Sequence, residues 1–149
     1  MKRLFYLLSL LSAMFVFSAC SKGEDGVHKA IKERFLSFAE AYYNYRLPDA
    51  LPFCVPELQQ KILFQISNTQ RKDIAIRNAD HTLAVIEGLS IRQDNDSTIT
   101  LGCLIENAWS SDSIGGVVRK SDLRDLSFTL CKRQGKWYIK KVDQRQSEK

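Results

Sequence analysis

The chain has 149 residues, 44% apolar and 26% charged, and its net charge of +5 is too small to argue for nucleic acid as a partner. Those values suit one ordinary globular domain. With 2 His in the chain and no zinc-like spacing among its 4 Cys, a metal site is poorly supported and no cofactor is implied.

At the N-terminus, Lys2 and Arg3 precede Leu4–Phe17, an uncharged and mostly apolar stretch of 14 residues broken by Tyr6, Ser9 and Ser12. A basic start followed by a short apolar run is the pattern of a secretory signal. A permanent membrane-spanning helix needs about 20 apolar residues, so this run is short for that role. It closes on Phe17-Ser18-Ala19-Cys20, which resembles the lipobox of bacterial lipoproteins: an apolar residue, two small ones and a Cys. Phe17 stands where Leu is commoner. The resemblance implies that residues 1–19 are a cleaved signal peptide. Cys20 would then carry a thioether-linked diacylglycerol and an acyl group such as palmitate on its new amine, which together give a stable anchor. The bland alternative is a plain secretory signal cut near Ser18-Ala19. Residues 20–26 are expected to be the lipidated Cys and a flexible tether of about 20 Å, so that the domain works close to its membrane. Ser21, where an Asp would signal inner-membrane retention, implies the outer membrane in a Gram-negative cell; the face on which the domain lies stays open.

Beyond the signal, the loss of Lys2 and Arg3 leaves 20 of the 22 basic residues against 17 acids, and the net charge falls from +5 to +3. Three cysteines remain: Cys54, Cys103 and Cys131. An odd number leaves at least one unpaired. Cys103 and Cys131 fall in separate expected strands, as buried thiols or as one disulfide; buried thiols are preferred. Basic residues gather late, from Lys132 to Lys149, either as a solvated face or as a surface for an anionic partner.

From Val27 the spacing of Ile31, Phe35, Phe38 and Tyr42 predicts a helix with one apolar stripe, ending near Arg46 because Pro48 cannot continue it. Pro48–Val55 reads as a short helical turn. Pro56 suits a first helical position, with Leu58, Ile62 and Ile66 as the next stripe. Residues 68–80 fit either a short helix or a loop. From His81 the period becomes alternating, with Leu83, Val85, Leu89 and Ile91 on one parity and Glu87 interrupting them. Asp94-Asn95-Asp96 is a turn cluster. Ile99, Leu101, Cys103 and Ile105 then alternate with Thr98, Thr100, Gly102, Leu104 and Glu106, and Ser110–Gly116 reads as a flexible loop. Leu126, Phe128 and Leu130 mark a further strand, and Gln134-Gly135 turns the chain into Trp137–Val142. Helices followed by a meander of about four antiparallel strands give an α+β domain over residues 27–143, with a polar tail at 144–149.

This order, with the aromatic-rich run Phe35–Tyr43, the Pro-bounded short helices and the hairpin Lys132–Ile139, resembles the nuclear transport factor 2-like, or cystatin-like, α+β cone. The resemblance implies a curved sheet with one face buried on the helices. It names no activity, because this fold hosts many.

Enzymes of this fold place an Asp or a His–Asp pair inside the cone. Asp80 and His81 adjoin, but neighbouring strand residues point to opposite faces. Glu87 sits on the apolar parity, where an unpaired carboxylate is costly to bury. Either it lines the cavity, or a bulge at Gly88 turns it to solvent, which is the favoured reading. Tyr42, of the set Tyr42, Tyr43 and Tyr45, and Trp109 beside the Ser/Gly loop are candidate pocket residues with Glu87, though core packing is the default for both aromatics. The leading expectation is a non-catalytic, membrane-anchored module that binds a small apolar ligand or another envelope protein. The alternative is a small isomerase, cyclase or dehydratase using Glu87 or Asp80 as base.

Overall fold

The computed structural model describes residues 22–111 and 115–145, with side chains from Gly26 onward. The expected signal peptide, Cys20 and the last four residues lie outside the described residues. Helix α1 spans Lys22–Tyr43. It starts five residues earlier than the apolar stripe indicates, so Lys22–Gly26, read from sequence as tether, is helical. Phe35 and Phe38 are fully buried on its inner side. The helix ends in a left-handed cap. Tyr45 has φ 58°, Arg46 N–H donates to Ala41 O at 2.8 Å, and Tyr45 N–H donates to Tyr42 O at 3.1 Å. Those two bonds satisfy carbonyls that the last turn leaves without helical partners.

Two short pieces follow, α2 (Leu47–Ala50) and a 3-10 turn (Leu51–Phe53), each with a Pro in its first positions. Helix α3 (Pro56–Asn68) has Pro56 at its start and buries Ile62. The ambiguous stretch after it is a helix, α4 (Arg71–Ala79). Its signal is a reciprocal cap: the Gln70 side chain accepts from the Asp73 N–H, and Asp73 Oδ2 accepts from the Gln70 N–H at 2.9 Å.

Four strands, β1 (Val85–Asn95), β2 (Thr98–Ser111), β3 (Val118–Arg133) and β4 (Lys136–Gln144), form one antiparallel sheet in the order β1-β2-β3-β4. Strand β1 begins at Val85 instead of His81, and β2 runs on through Ser111, into the expected loop. The β3–β4 hairpin turns on Gln134 and Gly135, both at positive φ (50° and 77°), the two-residue geometry that matches strand twist. Ile99, Leu101, Cys103 and Ile105 of β2 and Leu126, Phe128 and Leu130 of β3 are all buried on the inner face. Phe128 is the centre of that layer. Its ring lies edge-on to Phe35 at 4.8 Å, and to Phe38 and Tyr43 at 6.3 Å each. A fully buried side chain of this size stabilises by about 1.5–3 kcal/mol relative to exposure. The expected α+β architecture, helices on one face of a four-stranded antiparallel sheet, is therefore the fold.

Among the described residues the sheet has three register faults, one of them beside the β1–β2 turn, between Gln93 and Asn95. Glu87 pairs with Leu104 and Ser90 with Gly102, so β1 carries one extra residue at Gly88, whose φ is 61°. On β4, Thr129 pairs with Lys141 but Leu130 with Ile139, which leaves Lys140 as the extra residue. The β4 edge is covered in part, because Val55 N–H donates to Ile139 O at 3.0 Å and Cys54 bridges Ile139 in parallel. Arg34 reinforces that seam. Its guanidinium donates to Trp137 O and, at 2.9 Å, to Pro52 O, and it lies 4.7 Å from the Tyr138 ring centre.

Candidate functional site

Clefts open at the margins of the core, and two of the three candidate pocket residues line them, Trp109 in one and Tyr42 in another. The first, about 310 Å³, includes Trp109, Asp80, His81, Arg77 and Asn44 in its lining. Asn107 gives β2 a left-handed kink (φ 56°), which Asn tolerates, and beyond it Ala108 and Trp109 are both buried although consecutive. Trp109 pairs across the ladder with Lys120, whose ammonium lies 5.9 Å from the indole centre and forms an ion pair with Asp80. Asp80 Oδ1 also accepts the Thr82 N–H at 2.8 Å. The bond from Lys120, and then those from Thr82, hold the Asp80 carboxyl down at about 2. A carboxylate so held is a weak base, poorly matched to proton abstraction near neutral pH. His81 is exposed.

Asn44 builds the wall of this cleft. It is buried, and its side chain donates to Glu40 O at 2.8 Å and accepts the Ala84 N–H at 2.9 Å. Its own carbonyl accepts from Arg77 Nε at 2.8 Å. One residue thus joins the end of α1, helix α4 and the entry to β1. Sequence reasoning passed over Asn44, Arg77 and Lys120, because a single Asn after a helix or a Lys in a strand carries no local signal of such partners.

The second cleft, about 290 Å³, runs between α3 and β4. Its apolar floor is Leu58 and Val142, backed by the buried Phe38 and Ile62, and Lys61, Lys140 and Lys141 stand around it with Glu57. Tyr42 reaches into it. Its ring stacks on Phe38 at 5.3 Å and its hydroxyl donates to Gln65 Oε1 at 3.2 Å. Burial raises the Tyr42 phenol above its usual range. Tyr43, on the next helical position, is buried against Phe128, and Tyr45 meets Thr69 Oγ1 at 3.2 Å. The three tyrosines diverge as helical geometry requires.

Glu87 joins neither of these clefts. The Gly88 bulge shifts the parity of β1, so that Ile86 and Ile91 pair with the inward Ile105 and Leu101 while Glu87, opposite Leu104, is exposed. One inserted residue reverses the face of everything before it, which puts Glu87 on the exposed outer face of the sheet. The outer face of the sheet also exposes Val85, Leu104 and Leu123, with Val85 and Leu123 in one row on either side of Glu106.

Cys54 and Cys103 are buried free thiols, pushed by desolvation up to about 12 and about 11. Cys103 shares the inner face with Leu101 and Ile105, whereas Cys131 pairs with Thr98 on the outer face, so a bridge between them would have to cross the sheet. Among the described residues, no group of three or more His, Cys, Asp or Glu could hold a metal ion. No described helix is long and apolar enough to cross a membrane. No protein-family model matches the chain, and no curated protein matches it.

Proposed function

We propose that this chain is a lipid-anchored protein of the bacterial cell envelope, and that its globular part is a non-catalytic binding module of the cystatin-like cone type. The anchor rests on the basic start, the short apolar run and the lipobox ending in Cys20. The observation that carries binding over catalysis is how the interior is occupied. Phe35, Phe38, Phe128, Leu101 and Ile105 fill the inner face of the sheet with no exposed surface, so a ligand is received at the marginal clefts. The two carboxylates considered as bases do not suit the enzyme alternative. Asp80 is tied to Lys120, and Glu87 stands in solvent. A second reading, docking of another envelope protein, draws on the exposed Val85, Leu104 and Leu123 of the outer sheet face.

Metabolic labelling tests the anchor. Bacteria producing the full chain and fed labelled palmitate are expected to yield a labelled, membrane-bound protein, and Cys20→Ser is expected to abolish the label. An unlabelled wild-type protein released from the membrane fraction would overturn the anchored reading.

A further inference from the structure

The groove between α3 and β4 has the chemistry of an amphiphile site, and we infer that it binds a free medium-chain carboxylate, a short fatty acid or its close analogue, with the chain on its apolar floor and the headgroup among its lysines. This deepens the binding-module reading and rests on it.

The charges around the groove are unbalanced. Glu57 faces Arg133 at 3.7 Å, and Lys141 is paired with Asp143 at 2.8 Å. Lys61 and Lys140 have no carboxylate partner within ion-pair distance among the described residues. Helix α1 brings Phe38 and Tyr42 to the groove and adds no charge there. Two unpaired ammonium groups over an apolar floor complement an anion with a hydrocarbon tail. The β4 bulge makes this arrangement. Ile139 faces inward, and with Lys140 as the inserted residue Val142 returns to the inner face opposite Phe128. Two successive lysines therefore sit at the groove between two apolar residues, an aiming role that bulges often serve. The volume of about 290 Å³ holds about ten non-hydrogen atoms at ~30 Å³ each. That matches a chain of eight or so carbons with its carboxylate.

Photolabelling of the full chain in neutral phosphatidylcholine nanodiscs tests it. The probes are a medium-chain fatty acid bearing a diazirine and its uncharged primary amide. The acid is expected to label peptides containing Tyr42, Leu58–Gln65 and Lys140–Val142, and the amide about fivefold less. Lys61→Gln with Lys140→Gln is expected to lower labelling by the acid about fivefold, on the order expected for two exposed charge pairs, and to leave the amide unchanged. Equal labelling by acid and amide, or adducts outside these peptides, would overturn the inference. Loss of the acid's adducts when the disc lipid is made anionic would assign the groove to bilayer headgroups and overturn the free ligand. Palmitate labelling at Cys20 is read separately, so failure of the anchor and failure of the groove are distinguishable.

Discussion

Replacing Asn44 by Ala removes the side chain that ties the end of α1 to the entry of β1. Two half-buried hydrogen bonds disappear, to Glu40 O at 2.8 Å and from Ala84 N–H at 2.9 Å. Each contributes about 1 kcal/mol net, and the part-buried Ala84 amide left without an acceptor adds about 1 kcal/mol, the low end of that penalty. The expected loss is about 2–3 kcal/mol. The Arg77 bond to the Asn44 carbonyl survives, because it uses the backbone. Urea unfolding followed by tryptophan fluorescence reads the change, since Trp109 and Trp137 are both buried. The midpoint should fall with an unchanged slope, and the Ala84 amide should exchange faster with solvent. Asn44→Asp retains the acceptor for Ala84 and loses only the donor to Glu40, so Ala84 should stay protected. A loss below about 0.5 kcal/mol, or an unchanged Ala84 amide in Asn44→Ala, would refute the role of Asn44 as a tie.

Asp80 gives a pH signature. Its folded pKa, about 2, lies below its ordinary 3.8, so the stability it contributes is complete above about pH 4 and is lost as pH falls towards 2. Asp80→Asn should flatten that part of the thermal-stability profile, and an unchanged profile would show that the Lys120 bond does not persist in solution. Cys54 and Cys103 should resist Ellman's reagent at pH 8 until denaturant is added, because both are buried and their thiols are held protonated. Fast native reaction at either would contradict the packed inner face. Glu87→Gln should leave the urea midpoint within about 0.5 kcal/mol of wild type, as for an exposed residue at no special site; a larger shift would mean that Glu87 has a buried partner.

The bulge at Gly88 was legible in the sequence because its cause is local. A Gly within a strand beside a Glu on the apolar parity leaves few solutions, and the observed φ of 61° is one that Gly adopts at no steric cost. The Gln134-Gly135 turn and the Phe35–Phe38 stripe were legible on the same ground. Helix α4 was not, because Ile74 and Ile76 stay exposed and its only buried side chain is Asp73. Its start is fixed by the Gln70–Asp73 cap, which lacks the usual Ser, Thr, Asp or Asn at the cap position. The bulge at Lys140 was hidden too, since the run Ile139-Lys140-Lys141-Val142 reads as an unbroken strand and only the pairing with β3 reveals the extra residue.

Sequence alone therefore determined what depends on a few neighbouring residues: the succession of helices and strands, the turns and the apolar faces. Tertiary structure decided what depends on groups far apart in the chain. Asp80 meets Lys120 across 40 positions, and Arg34 reaches Trp137 across 103. Whether Asp80 is a base or half of an ion pair, and whether Tyr42 faces the core or a groove, follows from strand register and helix placement. Those are set by the packing of many side chains at once, and no single stretch of sequence contains them.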